Sequence, residues 1–161
     1  MPKKQKLSPS THKLYHGVCK EVHAPLLYSL AQSNVAKISV VLVGDPRRAQ
    51  ELVAELDTYN VWSRAKIPLQ VLYFPEDPPP DIDAQRRATR ICDRLTVLSA
   101  LLASSGGKIL LIATPEAILG ACPDKVAFTQ QRLNLRVGQS YSFSELIATL
   151  TTDLNYDCEA L

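Results

Sequence analysis

The chain has 161 residues, a formal net charge of +2 and 46% hydrophobic residues. A chain of this length buries roughly 70% of its unfolded surface, enough for one domain or one domain plus part of another. The small net charge gives no argument for nucleic-acid binding, and the basic residues lack the interleaved aromatics of a single-strand platform. No apolar run approaches the ~20 residues of a membrane span and no signal peptide follows Lys3, Lys4 and Lys6, so a cytoplasmic location is expected.

A cluster of metal-ligand residue types lies near the N-terminus, at His12, His16, Cys19 and His23. On a helix, His12 and His16 would share one face with Cys19 nearby, which would offer three ligands. The preferred interpretation is an amphipathic N-terminal helix whose polar side carries histidines, so no metal site is predicted. The cysteines never form a C-x-x-C pair, which argues against zinc and favours reduced thiols.

Apolar runs alternate with helical patterns from Lys37 onward, which predicts an open, mostly parallel sheet flanked by helices. The predicted strands are Lys37 to Val43, Leu69 to Phe74 and Lys108 to Ala113. The first of them is almost continuously β-branched, and we therefore expect it to be buried on both faces.

Three helices are predicted around these strands. The first is capped by Asp45 and ends near Tyr59, and Trp62 is expected to pack in the linker that follows it. The second is long and includes the apolar positions from Ile91 to Leu102. The third is short and is capped by Thr114.

A parallel α/β core raises the question of a nucleotide site, but the phosphate-loop pattern G-x-x-x-x-G-K-[ST] is absent from the chain. The nearest approach is a degenerate loop with Gly17 and Lys20, where Glu21 would repel a phosphate. Without further glycines the backbone N–H groups cannot surround a β-phosphate, and no Ser or Thr follows the lysine to bind magnesium. A second helix N-terminus follows Gly44, but Asp45 would cap the N–H groups that an anion would need. No cofactor and no enzymatic activity are therefore predicted.

Two charged segments follow one another before and within the long helix. Residues 75–83 combine four prolines with four acidic residues, and they are expected to form a surface connection without a cation site. Arg86, Arg90 and Arg94 recur at helical spacing and form a basic face. This face is interpreted as solvated and paired with the acidic connection, and the alternative is a contact with a partner protein or DNA.

The region after Leu133 predicts a strand, a turn and a helix. Leu133, Leu135 and Val137 alternate as in a half-buried strand. A helix then opens at Ser142, with Glu145 at the spacing of a capping box.

Several of these segments together resemble a known family. The V-G-Q turn at 137–139, the S-x-x-E-L helix at 142–146 and the Asn-Tyr at 155–156 resemble the module shared by bacterial transcription-repair coupling factor and excinuclease B. Upstream, F-P-E at 74–76, R-L-x-x-L at 94–98 and I-L-L-I-A-T-P-E-A-I-L at 109–119 stand in the order of the coupling-factor family. The match covers about residues 38 to 161, and Asp77-Pro78 replaces the tryptophan of the family's proline-rich element.

The resemblance implies an inactive, motor-like α/β domain at residues 1–107 and, at 108–161, the beginning of the domain that docks excinuclease A. In this family RNA polymerase and DNA are engaged by modules that are expected beyond residue 161. The chain is therefore expected to be a scaffold fragment that acts in transcription-coupled nucleotide excision repair, with no docking arginine assigned. The alternatives are a damage-recognition ATPase like excinuclease B, which the missing phosphate loop disfavours, and a stand-alone nucleotide-sensing module.

Overall fold

The computed structural model describes residues 13–63, 69–103 and 107–153. The described residues fall into two compact units, one within Met1–Gly120 and one within Ala121–Leu161. The domain boundary expected at residue 107 differs from this division, because the strand Lys108–Ala113 belongs to the sheet of the first unit.

The first unit is built on a three-stranded parallel sheet, which confirms the predicted α/β class and the three strands. Its strands are β1 (Ile38–Leu42), β2 (Leu69–Phe74) and β3 (Lys108–Ala113). The order is β1-β3-β2, so the last strand along the chain is the central one. Strands that follow one another along the chain are joined by connections that contain a helix, because a tight turn cannot join parallel strands.

The helices alternate with the strands in the first unit and continue into the second. A 3₁₀ turn at Lys20–Val22 leads into the first helix. The helices are α1 (His23–Ser33), α2 (Pro46–Ser63), α3 (Ala84–Ala103), α4 (Pro115–Leu119), α5 (Lys125–Gln130) and α6 (Phe143–Ala148), and a π-helical turn at Thr149–Asp153 follows α6. Among the described residues, none of these helices combines the length and the apolarity of a membrane span.

α2 begins as predicted and ends later than predicted. The Arg47 N–H donates to Asp45 Oδ1 at 3.1 Å, which confirms the expected cap. At the other end, the Asn60 amide bonds both the N–H and the C=O of Leu69, at 3.1 and 2.8 Å, and ties the last turn to β2. Because the helix runs on to Ser63, Trp62 lies on its surface and is 80% exposed, so its predicted packing in a linker is wrong.

One face of the sheet is covered by α1 and α2. Tyr28 anchors this layer: its hydroxyl lies 2.7 Å from Ser63 Oγ, and its ring meets Tyr59 edge to face. Burial of the apolar side chains in this layer supplies the main stabilising free energy of the first unit. The buried core on this side consists of Ala24, Tyr28, Ala31, Ala49, Leu52, Leu56, Leu69, Leu110 and Ile112.

The opposite face is covered by α3 and α4 over β2 and β3 alone. Its core is Phe74, Val97, Leu111, Ala113 and Ala117.

The strand β1 is open on this second face. Ile38, Val40 and Leu42 are 41%, 53% and 58% exposed there. The prediction that β1 is buried on both faces is therefore wrong, because within the described residues no helix covers it on this side.

In the second unit, the strand predicted at Leu133 to Val137 is absent, since residues 132–142 are irregular. Leu135 is 58% exposed and Val137 is fully exposed, so this segment has no sheet to pack on. Ser142 does occupy the N-cap of α6, but its side chain caps no N–H; its hydroxyl lies 3.0 Å from Ser144 Oγ. The predicted capping bond is therefore wrong, although the helix start is confirmed.

The two N-caps of this unit should respond differently to alanine. Asp124 Oδ2 accepts from the Val126 N–H at 2.9 Å, so Asp124→Ala should cost about 1 kcal/mol and speed exchange of the Val126 amide about fivefold. Ser142→Ala should leave the exchange of first-turn α6 amides within about twofold, because no cap bond is lost. Hydrogen exchange measured by NMR tests both, and equal increases in the two variants would contradict the assignment.

Candidate functional site

The carboxyl ends of β1 and β3 are the place where an open α/β sheet would bind a ligand. β1 leads into α2, which packs on the first face, and β3 leads into α4, whose Ala117 packs on the second. Adjacent strands whose connections leave toward opposite faces create a crevice between them, and ligands of parallel sheets bind in such crevices. This crevice is therefore the position at which a nucleotide would be expected.

On the β1 side of the crevice, the helix N-terminus is already occupied by an acidic side chain. The Asp45 carboxylate accepts the Arg47 N–H, and Pro46 has no N–H to offer. A phosphate at this end of α2 would face the Asp45 charge and compete for the same donor. The predicted capping role of Asp45 is thus confirmed, and the arrangement is unfavourable for a phosphate.

On the β3 side, the hydroxyl of Thr114 is hydrogen-bonded to other groups of the protein. Thr114 is completely buried, donates to Glu76 Oε1 at 2.8 Å and accepts from the Ala117 N–H at 3.2 Å. These bonds cap α4 and connect the ends of β2 and β3. The group is therefore a structural cap.

The degenerate loop at Gly17 and Lys20 does not resemble a strand-to-helix phosphate cradle. Gly17 has φ +68° within an irregular segment. Lys20 Nζ lies 2.9 Å from Glu51 Oε2 on α2, and this hydrogen bond is the main reason why the pKa of Glu51 is lowered. Lys20 thus joins the turn before α1 to α2.

The predicted N-terminal helix is wrong for its described part, since residues 13–19 are irregular and Gly17 takes a left-handed backbone there. His16 and Cys19 are exposed in this segment, so helical spacing does not bring them together. His12 lies outside the described residues. In the described part of the chain, no group of three or more His, Cys, Asp or Glu side chains is arranged to hold a metal ion.

The basic face predicted on α3 is divided by the fold. Arg86 stays at the surface, 3.2 Å from Asp83, and Arg90 is exposed. Arg94 is buried: it donates to the Pro75 carbonyl at 2.6 Å and lies 3.1 Å from Asp77 Oδ1. The predicted pairing with the acidic connection is confirmed for these contacts, but Arg94 is not solvated as predicted, because its guanidinium is enclosed at the end of β2.

The ring of Phe74 completes the site of Arg94. The guanidinium carbon lies 4.3 Å from the ring centroid, a cation–π distance. Arg94 therefore fixes the proline-rich connection to the sheet and cannot present its charge to a partner.

A surface cavity of about 450 Å³ lies beside the carboxyl end of β1. Its walls are mostly apolar, and its basic side chains are His23 and Arg48. Arg48 is engaged by Glu55 at 2.6 Å, and this hydrogen bond is the main cause of its raised pKa. The cavity can thus enclose apolar groups, but its strongest charge is neutralised within the protein.

Sequence reasoning missed a second cavity, of about 580 Å³, between the start of α1 and the C-terminal half of α2. Its walls bring Tyr59 and Trp62 close to Glu21, from which both are far apart in the sequence. The only available signal was the helical spacing of Glu55, Tyr59 and Trp62, which places them along one side of α2.

The fold and these sites were compared with known proteins. No protein-family model, curated protein or solved structure matches the chain.

Proposed function

We propose that this chain is a scaffold and interaction fragment of a transcription-repair coupling factor, acting in the cytoplasm in transcription-coupled nucleotide excision repair. The proposal rests on the ordered resemblance over residues 38–161 and on the parallel α/β sheet, which agrees with a motor-like core. In this proposal the chain helps to recruit excinuclease A, and other modules of the parent protein bind RNA polymerase and DNA.

The observation that carries the non-catalytic part of the proposal is the Asp45 cap. In a phosphate-loop motor, the backbone N–H groups after the first strand hold the phosphates. In this chain the equivalent helix start offers Pro46, without an N–H, and the Arg47 N–H, which already donates to Asp45. This arrangement favours a scaffold over the alternative of an ATPase like excinuclease B.

The open second face of the sheet supports a role in interaction. Ile38, Val40 and Leu42 of β1 are half exposed on the side where α3 lies. α3 itself carries Ile91, Leu95 and Leu102, which are 42%, 38% and 39% exposed. Exposed apolar surface of this kind marks sites where a protein packs against further polypeptide.

The chain is expected not to bind ATP. Without an N–H cradle and a lysine clamp, the triphosphate has no site that compensates for its desolvation. Isothermal titration with ATP and magnesium should give no saturable heat at millimolar nucleotide. A micromolar dissociation constant would contradict the scaffold proposal and favour the ATPase or the nucleotide-sensing alternative.

The proposed partner is tested by a pull-down with excinuclease A that compares this chain with the polypeptide encoded by its full reading frame. We expect the longer polypeptide to bind and the 161-residue chain to bind weakly or not at all, because the docking domain is expected to extend beyond residue 161. Failure of both to bind would contradict the coupling-factor proposal. Equal binding would place the docking surface within these residues, with Arg86 and Arg90 as the first positions to change.

A further inference from the structure

The cavity between α1 and α2 has the chemistry of a cation-binding groove. Its volume of about 580 Å³ lies within the usual range of ligand sites, roughly 300–1,000 Å³. It is lined by Glu21, Ala24, Pro25, Glu55, Thr58, Tyr59 and Trp62. Two aromatic rings and two carboxylates thus surround one depression.

The aromatic side of this groove is accessible and partly fixed. Trp62 is 80% exposed and Tyr59 is 37% exposed. The Tyr59 ring contacts the buried ring of Tyr28 edge to face, at 5.1 Å between centroids and 66° between planes. Exposed Trp and Tyr side chains with few rotatable bonds lose little conformational entropy on binding, and such residues dominate the energetics of interfaces.

The two carboxylates on the acidic side of the groove differ in their ion pairs. Glu55 is paired with Arg48 at 2.6 Å, and Lys20 is paired with Glu51 at 2.9 Å. Glu21 forms no ion pair with any described residue. Its pKa is lowered, first by a hydrogen bond from its own backbone and then by a hydrogen bond from Cys19, with smaller effects from the neighbouring Lys20 and His23. An arginine ligand would therefore add an ion pair to a carboxylate that already accepts these local hydrogen bonds.

We propose that this groove binds an arginine side chain of a partner polypeptide, with the guanidinium against Trp62 and Tyr59 and its charge balanced by Glu21. The carboxylates disfavour anionic ligands, and the aromatic faces attract a cation. Arginine fits better than lysine because its planar, weakly hydrated group stacks on rings while it still donates to a carboxylate. The site is independent of the proposed function, since it lies on the opposite face of the sheet from the open side of β1.

The test uses the intrinsic fluorescence of the full chain, whose only tryptophan is Trp62. The probes are two alanine-based heptapeptides that carry either arginine or its uncharged isostere citrulline at the centre. We expect the arginine peptide to give a saturable change and to bind at least about fivefold more tightly than the citrulline peptide. Equal binding of the two peptides, or no saturable change with either, would overturn the proposal.

The variant Glu21→Gln keeps Trp62 as the fluorescent reporter and removes the negative charge of Glu21. It should weaken the arginine peptide about threefold or more and leave the citrulline peptide unchanged. The matched control is Glu116→Gln, which removes another exposed carboxylate outside the groove and should change neither affinity. Undiminished binding of the arginine peptide to Glu21→Gln would assign the signal to another surface and reject the site.

Discussion

Replacement of Arg94 by alanine is expected to lower the free energy of unfolding of the sheet unit by about 3 kcal/mol. The Arg94 side chain is only 7% exposed, pairs with Asp77 at 3.1 Å and donates to the Pro75 carbonyl at 2.6 Å. Its removal leaves that carbonyl without this donor, loses the contact with the Phe74 ring and leaves a cavity. Urea unfolding followed by far-UV circular dichroism and by Trp62 fluorescence measures the loss.

The matched control for this change is Arg90→Ala, which removes the same side chain one turn earlier on the exposed surface of α3. Its effect should stay within about 0.5 kcal/mol. Arg94→Lys should recover part of the loss, because an ammonium keeps the charge but not the planar fork. A cost below about 1 kcal/mol for Arg94→Ala would show that the guanidinium does not hold the proline-rich connection.

The strands and the helix starts were predictable because their signals are local. A β-branched run such as Lys37 to Val43 excludes most alternatives to a strand. Asp45 and Thr114 precede proline at the first helical position, a pattern that fixes a helix N-terminus within a few residues. The parallel class followed from the alternation of these elements.

The burial of Arg94 was not predictable in the same way. Its spacing from Arg86 and Arg90 indicates a common helix face, but the fold turns this face gradually from solvent toward the end of β2. The enclosing groups, Phe74 and Asp77, become neighbours of Arg94 only when α3 packs on the sheet. Helical periodicity alone does not indicate how close Arg94 lies to these two side chains.

The same limit explains the errors at β1 and after Leu133. Whether both faces of a strand are covered depends on where the other helices pack, and the sequence of β1 itself is apolar on both sides. Alternation at Leu135 and Val137 indicates a strand only if a neighbouring strand is present to pair with it. For the candidate sites, the Asp45 cap was predictable from its own turn, whereas Glu21 and Trp62 meet only through the packing of α1 on α2.

The asymmetry of the sheet gives a second large expected effect. Ile112 of β3 is completely buried in the core formed with α1 and α2. Ile112→Ala should therefore cost about 3 to 4 kcal/mol, since the substitution removes buried methyl groups and leaves a cavity in a packed layer. The free energy of unfolding is again measured by urea denaturation.

The control for this effect is a truncation in the neighbouring strand, on the open face. Val40 of β1 is 53% exposed, so Val40→Ala removes little buried area and should cost less than about 1 kcal/mol, mostly through reduced strand propensity. The two variants therefore compare a covered and an uncovered position in paired strands of one sheet. A loss above about 2 kcal/mol for Val40→Ala would contradict the prediction, because a cost of that size requires Val40 to be packed against other groups in solution, and the face of β1 would then not be open.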